Sequence, residues 1–90
     1  MLLVSYDISN DKLRSKFSKF LMKYGGRLQY SVYEIKNSPR VIENIKTKIE
    51  NYFAKSFEQS DSVIIFVLSK TCEVVKYGYA KNDDEDLIII

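Results

Sequence analysis

The sequence predicts an α+β domain: an antiparallel sheet carrying two helices on one face. Three observations support this. Apolar side chains recur with a helical period over residues 13–24 and again over 42–53. Apolar or alternating runs at 2–6, 27–36 and 63–68 have the length and composition of strands. Strand and helix also follow one another twice in the same order, so each half supplies one strand–helix unit.

Leu2-Leu3-Val4-Ser5-Tyr6 is too apolar for a half-exposed strand and is expected to be mostly buried. Asp7-Ile8-Ser9-Asn10-Asp11 is dense in turn and helix-cap residues, so a helix should start there. Its apolar stripe is Leu13, Phe17, Phe20, Leu21 and Tyr24, with Lys12, Arg14, Lys16, Lys19 and Lys23 on the other faces. Gly25-Gly26 is expected to end it by supplying the left-handed conformation.

From Arg27 to Lys36, Leu28, Tyr30 and Val32 share one parity, while Tyr33 and Ile35 take the other. The switch implies a bulge or break near Ser31 to Tyr33, and so two short strands. Ser38 as N-cap and Pro39 at the first helical position open the second helix, whose stripe is Ile42, Ile45, Ile49, Tyr52 and Phe53.

Val63-Ile64-Ile65-Phe66-Val67-Leu68 has the β-branched and aromatic content of a central strand. Cys72 to Tyr77 is expected to pair with it across Ser69-Lys70-Thr71. Residues 1–78 thus form the domain, followed over 79–90 by an acidic linker and a C-terminal strand, Leu87-Ile88-Ile89-Ile90. Four large apolar residues at a terminus call for burial, as an edge strand on this chain's sheet or a partner's.

Two strand–helix units packed this way are ferredoxin-like. The face opposite the helices has no cover. Tyr6, Tyr30, Tyr33 and the 63–68 strand are expected to make it too apolar for water, so a second copy should bury it. A 90-residue chain also has a thin core that dimerisation would supplement.

Composition narrows the chemistry. The chain has no histidine, which excludes histidine acid–base catalysis and the common zinc sites. Cys72 is the only cysteine, so no intrachain disulfide forms, and a reducing cytoplasm is expected. No apolar run approaches the ~18 residues of a membrane span, so no membrane partner is expected. Asp83, Asp84, Glu85 and Asp86 hold four of the twelve acidic residues; residues 1–82 therefore carry eight acidic against fourteen basic side chains, a charge of +6. A basic body fits a polyanionic partner as well as it fits a solvated surface.

Asp7 is the sharpest candidate, placed where a strand ends and a helix begins. It reads equally as a loop carboxylate or cap. One carboxylate is a poor magnesium site, but a two-fold axis near Asp7 would bring two together, suited to phosphodiester hydrolysis. Arg14, Lys16, Lys19, Lys23 and Arg27 could form a phosphate-binding ridge or a soluble helix surface. Tyr30 and Tyr33 suit base stacking, but tyrosines on a strand more often serve a core or an interface.

Tyr6-Asp7-Ile8-Ser9, Asp11-Lys12-Leu13-Arg14, Arg27-Leu28-Gln29-Tyr30-Ser31-Val32-Tyr33-Glu34 and Asp61-Ser62-Val63-Ile64-Ile65 stand in an order and spacing that resemble the second CRISPR-associated adaptation protein, the Cas-two family. The likeness runs from Met1 to about Gly78. It implies a ferredoxin-like homodimer packed sheet to sheet, with a terminal strand crossing to the partner. It implies that Asp7 lies near the two-fold axis as the catalytic and metal-binding aspartate, holding Mg²⁺ or, in its place, Mn²⁺. Tyr6, Arg14, Arg27 and Tyr33 fall on other active-region positions of the family. Lys16 stands where some members have Arg, and Lys cannot form a bidentate phosphate fork; Tyr33 stands where Phe is common. The family's role divides. Some members resemble metal-dependent endonucleases acting on RNA or DNA, whereas in the adaptation complex the dimer bridges two dimers of the integrase (Cas-one) and spans duplex DNA during spacer acquisition. The bridging role is the favoured expectation, with a magnesium-dependent endonuclease at the dimer axis as the alternative.

Overall fold

The computed structural model describes residues 1–75, 77 and 78. β1 (Leu2–Asp7) leads through α1 (Asp11–Met22) to β2 (Gly26–Gln29) and β3 (Val32–Ile35), then through α2 (Pro39–Lys48) to β4 (Ser62–Val67). A π-helical turn at Ile49–Phe53 and a 3₁₀ turn at Ala54–Ser56 prolong α2. The strands lie in the order β2-β3-β1-β4, each neighbouring pair antiparallel. With both helices on one face, this is the ferredoxin-like fold.

The helix starts follow from local chemistry. Asn10 caps α1 by accepting the Leu13 N–H at 2.9 Å, and Ser38 caps α2 by accepting that of Val41 at 3.3 Å. Pro39 sits at the start of α2, where its missing N–H costs nothing. The end of α1 differs from expectation. Of the glycines only Gly78 has positive φ, so Gly25 and Gly26 do not supply a left-handed cap. Gly25 is required by proximity instead: a Cβ there would lie 2.1 Å from the Glu34 carbonyl oxygen and 2.8 Å from Ile35 Cγ1.

β1 is the spine of the sheet, pairing Leu2 to Ile35 and Val4 to Tyr33 on one side, and Leu2 to Val67 and Tyr6 to Val63 on the other. Alternate residues Leu2, Val4 and Tyr6 enter the core with Tyr33 and Ile35 from β3. Phe17 and Leu21 from α1, and Ile45, Ile49 and Phe53 from α2 and its extension, close over them. Phe17 is the hub: its ring meets those of Tyr6 at 4.9 Å and Phe53 at 5.0 Å, both edge-on. In the second helical stripe Phe53 is buried but Tyr52 is half exposed, because the wide π turn rotates the chain away from the α-helical period.

The parity switch in the middle of the chain is resolved by a turn at Tyr30-Ser31 together with an irregularity between Arg27 and Gln29, where Arg27 pairs with Tyr33 but Gln29 with Val32. This changes the expected faces. Tyr6 and Tyr33 lie under the helices rather than on the open face, and Tyr30 sits at the turn, 74% exposed. The open face is nonetheless apolar in part: Leu3 pairs with Phe66, and Ser5 lies between Val32 and Ile64. Ile64 and Phe66 remain about half exposed, at 54% and 49%.

β4 is an edge strand among the described residues, not a central one. Of the segment expected to flank it, residues 72–75 and 77 form no strand. Polar Ser69, Lys70 and Thr71 carry the chain off the sheet after the Leu68 N–H bonds the Met1 carbonyl at 2.9 Å. The acidic linker and C-terminal strand expected over 79–90 lie outside the described residues. No helix among the described residues is long and apolar enough to cross a membrane.

Candidate nucleic-acid groove

A groove of about 800 Å³ opens where the C-terminal end of β1 meets α1 and the β2–β3 turn, and Asp7, Arg14, Lys19, Arg27 and Tyr30 line it. Its α1 wall follows from helical spacing: Asp11, Arg14, Ser15, Ser18, Lys19 and Met22 fall on one side of the helix. Asp7 ends β1 with an exposed carboxylate that has no hydrogen bond or ion pair among the described residues.

The two arginines differ. Arg14 folds back on the β1–α1 connection, donating to the carbonyls of Ile8 at 3.0 Å and Ser9 at 3.3 Å, and pairs with Asp11. Much of its charge is spent locally. Arg27 pairs with no acid among the described residues; its Nε donates to the Tyr33 hydroxyl at 3.0 Å and its Nη2 to Ser18 Oγ at 2.8 Å. Ser18 and Tyr33 bond one another at 2.5 Å, so three polar side chains from three elements meet at the groove floor. Beside them, Tyr6 donates to the Tyr30 carbonyl at 3.3 Å. Burial pushes the Tyr6 hydroxyl's pKa up, partly offset by the nearby Ser18 hydroxyl.

Lys16 stands apart from the other expected residues. It lies on another side of α1, in a shallow depression of about 250 Å³ with Asn10, Lys12, Leu13, Ser56 and Glu58. Sequence reasoning missed Ser18, whose signal is a serine directly after stripe residue Phe17 inside a helix. It also missed the brace beneath the β1–α1 connection, where Asp61 accepts from the Ser9 N–H at 2.9 Å, the Ser9 hydroxyl at 3.0 Å and the Glu58 N–H at 2.8 Å. These bonds hold the Asp61 carboxyl below the usual carboxylate range.

The family description "CRISPR associated protein Cas2" matches residues 1–74 of this chain. The chain belongs to the Cas2 family. A relative from Methanospirillum hungatei, named CRISPR-associated endoribonuclease Cas2 2, is 31% identical over 90 residues, covering 98% of this chain and 97% of its own. A crystal structure of Streptococcus pyogenes Cas2 superposes with a TM-score of 0.62 at 25% identity, covering 83% of this chain and 98% of that one. A second structure, described as cas2, reaches a TM-score of 0.71 over 97% of this chain and 95% of its own; at 24% identity it speaks for the fold.

Within the groove of this Cas2 domain, Asp7 is the carboxylate that no cation pairs with among the described residues. Among the described residues no three acidic or cysteine side chains gather to hold an ion, and Asp11, the other carboxylate of the groove, is engaged with Arg14. A lone carboxylate oxygen suits a hard cation chemically, but Mg²⁺ ordinarily takes a second carboxylate or phosphate oxygens as well.

Proposed function

We propose that the protein is an adaptation subunit of a CRISPR system: a homodimer that bridges the partner integrase dimers and binds duplex DNA during spacer acquisition. The observation that carries this reading is the groove itself, where Lys19 of α1 and Arg27 of β2 present cationic groups beside Asp7 at the C-terminal end of β1. Joining two copies through Leu3, Val32, Ile64 and Phe66 would bury the apolar part of that face. It would also set two basic grooves on one rigid platform, which suits a duplex backbone read through its phosphates. Lys19 and Arg27 carry no ion pair among the described residues, and cations so placed suit phosphate contacts, which position a nucleic acid without reading its bases.

The name of the Methanospirillum relative, an endoribonuclease, supports a second reading. In that reading two Asp7 carboxylates meeting at the dimer axis would hold Mg²⁺, or Mn²⁺ in its place, and the ion would polarise a phosphodiester and activate water. Arg14 and Arg27 would bind the flanking phosphates, with Tyr6 and Tyr33 supporting them from below.

An integration assay with the partner integrase separates the two readings. The bridging role predicts that Asp7→Ala still assembles with the integrase and still supports capture. Loss of capture with assembly intact, together with chelator-sensitive cleavage that disappears in Asp7→Ala, would establish the nuclease reading instead.

A further inference from the structure

We propose that the Ser18 and Tyr33 hydroxyls form a lock that aims the Arg27 guanidinium into the Asp7 groove, making both of them positioning residues for a nucleic-acid phosphate bound there. The inference rests on the nucleic-acid reading above and adds the device that orients its cation.

The lock begins in the sheet register. Arg27 lies directly across from Tyr33, so the two side chains leave the sheet on the same face, and Ser18 comes down to them from α1. Tyr33 is fully buried, and a buried hydroxyl needs a partner. Ser18 alone would satisfy it at 2.5 Å. The guanidinium is nonetheless held as well, by one bond to each hydroxyl, and its carbon lies 5.5 Å from the Tyr33 ring centre.

Arginine carries only donors, so both hydroxyl oxygens must accept from it, which fixes the guanidinium plane. Two of its five N–H bonds are used, and neutral oxygens take them. The positive charge is therefore oriented without being neutralised, in contrast to Arg14 with its Asp11 partner. An arginine held this way has already lost its rotamer freedom before a phosphate arrives, and its fork geometry suits two phosphate oxygens.

Fluorescence anisotropy with a labelled duplex DNA tests the inference in four proteins: wild type, Tyr33→Phe, Arg27→Ala and the double variant. Tyr33→Phe should weaken binding roughly three- to tenfold, the cost of immobilising one long side chain on binding. Arg27→Ala should weaken it further and reduce the slope of log affinity against log salt by about 0.9, one phosphate contact on a duplex. In the Arg27→Ala background Tyr33→Phe should cost nothing more. A Tyr33→Phe loss of equal size in both backgrounds, or no loss in either, overturns the proposal, because a merely structural hydroxyl would behave so.

The lock can also be read without nucleic acid. The Arg27 Nε–H should give a slowly exchanging ¹⁵N-correlated NMR signal in the free protein, and Ser18→Ala should speed its exchange. A fast-exchanging wild-type signal refutes the lock. A protected signal in a protein that binds no duplex refutes the parent reading instead, and with it the phosphate role.

Discussion

Asp61 braces Ser9 through two hydrogen bonds to one carboxylate oxygen, from the Ser9 N–H at 2.9 Å and the Ser9 hydroxyl at 3.0 Å. Its other oxygen accepts the Glu58 N–H at 2.8 Å. The connection that carries the chain from Asp7 to α1 is thus tied to the turn ahead of β4, across 52 residues of sequence.

The brace makes stability depend on pH. The Asp61 carboxyl is held below its ordinary range first by the Ser9 and then by the Glu58 backbone bond, so its contribution is complete above the unfolded carboxylate pKa. It is lost as the pH falls through the lowered folded value. Asp61→Ala should therefore lower the melting temperature at neutral pH, and the gap to wild type should close in strong acid. Thermal melts followed by circular dichroism over a pH series check both points; a gap of constant size would contradict the assignment.

Gly25 and Gly26 are neighbours with different constraints. Gly25→Ala drives a methyl into the Glu34 carbonyl, and backbone cannot swing aside, so a loss of about 1–3 kcal/mol is expected. Gly26→Ala meets nothing within 4 Å and should stay within roughly 0.5 kcal/mol of wild type. Urea titrations of the two variants give the comparison directly.

The open sheet face is expected to be the dimer interface. Phe66→Lys would place a charge at its apolar centre beside Leu3, weakening self-association by at least about thirtyfold while leaving the helix-side core intact. Sedimentation velocity over a dilution series measures the shift, and circular dichroism confirms that the variant is folded.

Lys19 and Lys16 are three residues apart on α1 but lie in different depressions. Lys19→Ala should lower the salt slope of duplex binding by about 0.9, as for one lost phosphate contact. Lys16→Ala should leave it unchanged, which equilibrium titrations at several salt concentrations would show.

Features set by local chemistry were legible in the sequence. The Ser38-Pro39 start of α2 and the Leu13, Phe17, Leu21 stripe depend only on near neighbours and on helical period. The fold class followed from element order. Faces and edges did not, because they depend on register. The Arg27–Gln29 irregularity and the Tyr30-Ser31 turn decide that Tyr33 points inward, and neither leaves more than a change of parity in the sequence. The apolar 63–68 run has the composition of a central strand, yet its outer neighbour is absent among the described residues. Asp7, Arg14, Lys19 and Arg27 were named from sequence and line one groove, whereas Ser18 and Asp61 act through partners far along the chain. Such pairings carry no local signature.

The π-helical turn at Ile49–Phe53 makes this stretch more sensitive to length than to spelling. Conservative exchanges can preserve the contacts of Phe53 with Phe17 and Phe20, both at 5.0 Å, because the ring keeps its bearing. Removing a single residue between Lys48 and Phe53 would instead swing that ring by about 100° around the axis, the rotation of one helical step. Homologues should therefore vary the exposed positions 50–52 freely while holding the segment's residue count and its apolar ends, Ile49 and Phe53, fixed.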